Sequence, residues 1–161
     1  MDAVQFLIHQ HRQLEQYLSE ALDTRSEEDK QIFFNNIADH LAAHIAVEEQ
    51  VFYPAVHAKW TEYDLLLSLE EHLSLKRLVT DLSALQSNEQ TFHPKLKVLM
   101  EQAVHHHRVE EEYLFPKVNT LMNAAERATL GQEMQDMQHR IYRQGDVRET
   151  VKQTDEAAPL I

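Results

Sequence analysis

Apolar and polar residues alternate with a helical period along most of this chain. In residues 2–23, Val4, Leu7, His11, Leu14, Leu18 and Ala21 recur at steps of three and four, the signature of one buried stripe on an amphipathic helix. A second helix is predicted from about residue 27 into the mid-50s, on Phe34, Ile37, Leu41, His44, Glu48 and Val51. A third, roughly 62–86, lines up Leu65, Leu69, His72, Leu75, Val79 and Leu82, and a fourth, starting near Phe92–Pro94, lines up Leu96, Leu99, Ala103, His106, Glu110 and Tyr113. Ser26 and Asn123 are good N-caps. Asn123 opens a shorter fifth helix, about 124–143, with Leu130, Met134 and Met137 inward and Gly131 as its weak point. Pro54 is expected to kink or end the second helix.

Six positions in these stripes are not apolar: His11, His44, Glu48, His72, His106 and Glu110. They belong to a repeat. The runs His44–Val56 and His106–Val118 align without gaps and match at His44/His106, Val47/Val109, Glu48/Glu110, Glu49/Glu111, Pro54/Pro116 and Val56/Val118. His11 precedes His44 by 33 residues and His72 precedes His106 by 34, so each half is a helical hairpin with one histidine on its first helix and a His-x-x-x-Glu pair on its second. Two antiparallel hairpins make an all-α, up-down-up-down four-helix bundle. The domain is expected over residues 1–144, fifth helix included. Residues 145–161, polar and without periodicity, read as a flexible tail.

Residues four apart on a helix are neighbours, with Cβ atoms roughly 6 Å apart, so an imidazole and a carboxylate at that spacing can grip one metal ion. Buried polar groups left unpaired cost on the order of 1–3 kcal/mol each, and six at matching heights in one bundle need something to tie them together. Four histidines and two glutamates are too many for one open site and suit two ions, two histidines on each, with both glutamates and a solvent-derived oxo or hydroxo group as bridges. Nitrogen and oxygen donors without sulfur suit iron, or manganese, better than a structural zinc.

Neighbouring residues leave the register to be chosen. His107–Glu111 has the same spacing as His106–Glu110, but the stripe and the repeat both select the latter. Glu49, Glu111, His9, His57, His93, His105, His107 and His139 are expected to be solvated. His40, one turn before His44, is either an additional ligand or a partner standing behind one.

Composition narrows the rest. Of 161 residues only two are glycine and four proline, which favours long helices, and there is no cysteine, which excludes disulfides, thiolate sites and iron–sulfur clusters. A net charge of −12 argues against nucleic acid or an anionic membrane as a partner. No apolar run approaches the ~20 residues of a membrane span, and Asp2 spoils a signal peptide, so a cytoplasmic location is expected.

At the doubled His-x-x-x-Glu-Glu motif with its following proline, the sequence resembles the hemerythrin-like, HHE cation-binding domain family over about residues 3–142. The resemblance implies an up-down four-helix bundle with a non-haem di-iron centre and carries His11, His44, Glu48, His72, His106 and Glu110 over as ligands. It differs from the oxygen-carrying hemerythrins at two points. Those have His-x-x-x-His on the third helix, where this chain has His72 and Lys76, and His-x-x-x-x-Asp on the fourth, where it has His106 and Glu110. Both differences point away from simple O₂ carriage, and the cysteine-containing segment of the related iron–sulfur repair proteins is absent. The leading expectation is a di-iron module that binds O₂ or a related diatomic such as NO for sensing, storage or protection. The alternatives are a di-iron enzyme that reduces peroxide or NO, or donates iron, and a metal-free interaction module. No separate proton-delivering group stands out in the sequence, which favours binding over catalysis.

Overall fold

The computed structural model describes residues 1–161, and every regular element in it is helical. In chain order these are α1 (Ala3–Asp23), α2 (Glu27–Val47), α3 (Tyr53–Val56), α4 (Glu62–Ser83), α5 (Phe92–Val109), α6 (Phe115–Leu121) and α7 (Ala124–Gln144). The starts are sealed as the side chains require. Ser26 Oγ accepts from the Asp29 N–H at 3.2 Å, while Asp2 and Asn123 each close a reciprocal capping box, with Gln5 and Glu126.

Neither proline ends its helix. Between α2 and α3, and again between α5 and α6, five residues widen into a π-helical turn, Glu48–Phe52 and Glu110–Leu114. In both, the N–H of the residue before proline, Tyr53 or Phe115, donates five residues back to the carbonyl of Glu48 or Glu110. Proline lacks an N–H, and its ring clashes with a normal preceding turn; one wide turn accommodates it without breaking the rod. Single π-turns of this kind are frequent at functional sites.

Two apolar halves make up the core. One gathers Leu14, Leu18, Phe34, Ile37, Leu41, Leu75, Val79, Leu82, Leu96 and Leu99; the other gathers Leu7, Phe52, Leu65, Leu69, Leu114, Phe115, Val118 and Met134. Fully burying such a side chain contributes roughly 1.5–3 kcal/mol. Chain direction follows from the two sets. α1 passes from the second half (Leu7) to the first (Leu14), α2 returns (Leu41 to Phe52), α4 goes out again (Leu69 to Leu75), and α5 returns (Leu99 to Leu114). The bundle is therefore up-down-up-down. His11, His44, His72 and His106 fall at the crossing between the halves on all four helices.

α7 is as long as α1, 21 residues, and packs against α1 and α2. Gly131 is there for contact rather than as a weakness: a Cβ at that position would stand 2.8 Å from the Met1 carbonyl oxygen and from the Asp2 carbonyl carbon. Beyond Gly145, which takes φ 77° to end α7, the chain is docked rather than free. A short 3₁₀ helix, Val147–Val151, buries both valines against the first apolar half. Arg148 pairs with Asp39 at 2.9 Å, and Arg77 Nε donates to the Thr154 carbonyl at 2.9 Å. The two valines lie four residues apart, too short a pattern to register as amphipathic periodicity.

Candidate metal centre

Between the two apolar halves lies a layer of polar side chains removed from solvent. His11, Glu48, His72 and Glu110 are fully buried, and His44 and His106 nearly so. α1 and α4 each supply one histidine; α2 and α5 each supply a histidine and, where the π-turn begins, a glutamate. The glutamate in each case sits one α-helical turn after the histidine, so both side chains leave the same face.

The two carboxylates link the halves of the repeat crosswise. Glu48 Oε1 is 3.1 Å from His44 Nε2 and 3.1 Å from His72 Nε2. Glu110 Oε1 is 3.2 Å from His106 Nε2 and 3.3 Å from His11 Nε2. Each glutamate thus joins the histidine of its own helix to the first-helix histidine of the other hairpin. His72 Nε2 and His106 Nε2 are 3.1 Å apart.

Every ring in the layer is aimed by a partner behind it. The Nδ1–H groups of His11 and His72 donate to Glu111 and Glu49, at 2.8 and 2.9 Å; these are the second glutamates of the two repeats. Those of His44 and His106 donate to Gln10 and Glu71, at 2.7 and 2.9 Å, and these are the residues just before His11 and His72. The repeat therefore extends to the supporting shell. Donation at Nδ1 fixes the tautomer and turns Nε2 inward as a lone pair, which is how proteins hold metal-binding imidazoles. Lys76 Nζ, itself buried, donates to Glu49 at 2.9 Å, and Arg12 pairs with Glu111.

Inward, several of the donor atoms have no hydrogen-bond partner in the protein. His11 Nε2, His44 Nε2, Glu48 Oε2 and Glu110 Oε1 are buried without a hydrogen bond. Donor atoms of His11, His44, Glu48 and Glu110 all lie within 4.8 Å of one another, as do those of Glu48, His72 and His106. Ligands at ~2.0–2.1 Å from an ion and about a right angle apart stand about 3 Å from each other, the separations seen here. The residues and their geometry fit a buried metal site.

In the metal-free chain protons take over part of this work. Burial lowers the pKa of His106, but the Glu110, Glu48 and Glu71 carboxylates together outweigh it and leave the value well above the ordinary one. His11 and His72 are raised in the same way, against burial, by hydrogen bonds to Glu110 and Glu111 and to Glu48 and Glu49. Burial pushes Glu48 up, yet His44 and the imidazoles around it hold it well below its ordinary value; burial and the Glu48 carboxylate push Glu110 up, and His106 and His11 together still hold it below.

Several residues expected in solvent are elsewhere. Glu49 and Glu111 are half-buried supports, as described. His107 is buried at 1% exposure, and its Nδ1–H donates to Glu15 at 2.7 Å. The step of four from Ala103 to His107 is as available as the step of three to His106; α5 buries a wider arc than one stripe. His9, His57, His93, His105 and His139 are not buried. His40 is buried but lies outside the cluster, its Nε2 3.4 Å from the Gln10 carbonyl and its ring edge-on to Tyr17. Tyr53, outside the predicted stripes, also enters the layer. Its hydroxyl donates to Glu110 Oε2 at 2.8 Å and lies 3.2 Å from His72 Nε2, with the ring stacked on His72 at 5.5 Å. The aligned residue in the other repeat is Phe115, stacked on His11 at 5.8 Å, so only one end of the centre carries a phenol.

Comparison with known proteins adds the fold class. No family model matches the chain. Among solved structures it superposes on a hemerythrin HHE cation binding domain-containing protein from Mycobacterium kansasii, a homolog of Rv2633c, with a TM-score of 0.77 over 94% of this chain and 97% of that one, at 17% identity. The chain therefore has the hemerythrin-like fold, an all-α bundle, and the buried histidines and glutamates inside it have the make-up of a metal site. A DNA nickase of Nostoc sp. (strain PCC 7120) is 29% identical over 94 residues, 58% of this chain. The match spans only 27% of that protein's length. No helix here is long and apolar enough to cross a membrane.

Proposed function

We propose that this protein is a non-haem two-iron module that binds O₂ or a related diatomic such as NO, for sensing, storage or protection. The observation that carries the proposal is the crosswise pair of carboxylates, each set between an imidazole of one hairpin and an imidazole of the other, with His11 Nε2, His44 Nε2, Glu48 Oε2 and Glu110 Oε1 left unpartnered. His11 and His44 would hold one ion, His72 and His106 the other, and Glu48 and Glu110 would be shared. Iron in such an oxygen- and nitrogen-rich site supplies an electron-donating centre for a small ligand, and manganese is the other metal this donor set suits. The chain's own part is to aim the buried rings, exclude water and keep the layer dry between two apolar halves.

A second reading, reduction of peroxide or NO, has one observation in its favour. The Tyr53 hydroxyl is a buried proton donor at the edge of the cluster. Burial, and then the Glu110 and Glu48 carboxylates, push its pKa well above the ordinary value, so it stays protonated and keeps a hydrogen at its oxygen. Nicking of DNA is not carried over from the partial relative, because a charge of −12 offers little to a phosphate backbone.

Iron analysis and visible spectra, taken anaerobically and then in air, test the proposal. Two irons per chain and an oxygenated band that reverses on degassing are expected. One ion or none after growth in ample iron overturns it. Irreversible oxidation with peroxide turnover, lost in Tyr53→Phe while both irons remain, would replace binding by the enzymatic reading.

A further inference from the structure

Three of the four inward-facing rings are held from behind by carboxylates, Glu111, Glu49 and Glu71. An ionised carboxylate only accepts, so each of these contacts by itself decides which ring nitrogen carries the hydrogen. His44 is the exception. Aligning the hairpins sets Gln10 against Glu71, and the group behind His44 is the Gln10 amide, 4% exposed, with its Oε1 2.7 Å from Nδ1. An amide has a donor end and an acceptor end of nearly the same shape. Turned over, Gln10 would present its NH₂ to His44 Nδ1. The ring would then carry its hydrogen on Nε2, facing Glu48 Oε1 at 3.1 Å, and its lone pair would no longer point into the layer.

The direction is taken from outside the four helices that carry the layer. Gln10 Nε2 donates to Gln138 Oε1 on α7 at 2.8 Å. Gln138 is half-buried and lines a recess between α1 and α7 with Phe6, Gln135, His139 and Tyr142. His44, Gln10 and Gln138 therefore form a relay whose hydrogens all point outward, from Nδ1 to Gln10 and from Gln10 to Gln138. Two amides in series can run either way, and only the direction seen leaves His44 Nε2 with a lone pair. We infer that Gln138 is a positioning residue for the centre: by turning its oxygen inward it sets the polarity of the relay and keeps His44 Nε2 free to bind metal. The inference rests on the metal centre proposed above. It gives α7 a task beyond packing, since a residue at the protein surface decides which atom of a buried ring faces the layer.

Substitutions at one position test this. Gln138→Glu can only accept, and Gln138→Lys can only donate. His139→Lys places the lysine charge one residue along α7, on an exposed position. Proton–nitrogen NMR of histidine-labelled, metal-free protein at pH 8 reads which nitrogen of His44 carries the hydrogen, and anaerobic Fe(II) titration against a competing chelator reads affinity. Wild type, Gln138→Glu and His139→Lys should carry it on Nδ1 and bind alike. Gln138→Lys should carry it on Nε2 and bind one ion roughly tenfold more weakly or worse, as for other losses of an orienting partner. Gln138→Arg, equally donor-only, replaces the lysine variant should that not fold. A donor-only variant that keeps the hydrogen on Nδ1 and wild-type affinity overturns the inference and leaves the metal centre standing. Equal weakening in Gln138→Lys and His139→Lys assigns the effect to charge and also overturns it. Wild type that takes no metal overturns the centre, while the place of the His44 hydrogen still decides the polarity of the relay.

Discussion

The Nε2 atoms of His72 and His106 face each other across 3.1 Å, while their Nδ1–H groups point away, to Glu49 and Glu71. Two neutral rings so oriented would oppose lone pairs at hydrogen-bond distance in a buried site, where like charge density is poorly screened. A proton between them relieves this, and so does a metal ion. The same arrangement recurs where His44 and His72 approach the Glu48 oxygen, and it makes the layer a competition between protons and metal. The bundle tolerates the layer because the apolar halves on either side bury enough surface to hold the four helices in place.

The support behind His72 gives a first prediction. Lys76 and Glu49 form a largely buried pair, and Glu49 also accepts from His72. Removing one member of such a pair strands the other and costs roughly 3 kcal/mol. Lys76→Met and Glu49→Gln should each lower the denaturant midpoint of metal-free protein by that order. The double variant should lose clearly less than the sum. Additive losses would show that the two side chains do not depend on each other.

Much of this is legible in the sequence, for a definite reason. His11, His44, Glu48, His72, His106 and Glu110 break periodic stripes, and periodicity plus a spacing repeat is enough to place them at one height in a bundle. The second tier is hidden because it is made across helices. Gln10 supports His44 on another rod, and Glu15 supports His107 from α1 to α5, contacts that no local spacing encodes. Tyr53 lies beyond the stripe and enters the layer only because the π-turn re-aims the residues after Glu48. The docking of Val147 and Val151 escapes for a simpler reason: two residues are too few to make a pattern.

His40 gives a prediction with a sign. Burial, and then His44, lower its pKa from 6.5 to about 4. A depressed histidine is neutral in the folded chain and protonated in the unfolded chain below 6.5, so stability falls as pH drops from 6.5 toward 4. The loss is about 3 kcal/mol at pH 4. His40→Gln keeps a polar side chain and cannot titrate. Its stability should therefore fall less steeply than wild type between pH 6.5 and 4, at equal metal content. Parallel slopes in urea melts across that range would show that His40 does not titrate on unfolding.

The last prediction concerns metal and pH together. In the metal-free chain the raised pKa values of His11, His72 and His106 stabilise the fold below 6.5, and that contribution is lost as pH rises through the raised values. The depressed values of Glu48 and Glu110 stabilise it above 4.5, and that contribution is lost as pH falls. Through the raised histidines, stripped protein should thus weaken as pH rises from about 6.5 toward 8, where lone pairs and carboxylates confront one another without protons. The depressed His40 and His107 act in the opposite sense below 6.5. Metal displaces those same protons, so it binds more tightly as pH rises, and an ion that binds only the folded state adds roughly 4 kcal/mol at a thousandfold excess over Kd. The Tm gained on restoring Fe(II) or Mn(II) should be small at pH 5 and grow steadily to pH 8, while helicity stays unchanged throughout. A Tm that ignores metal at pH 8, or a gain that is largest at pH 5, would mean that the histidines and glutamates of this layer are not where the metal binds.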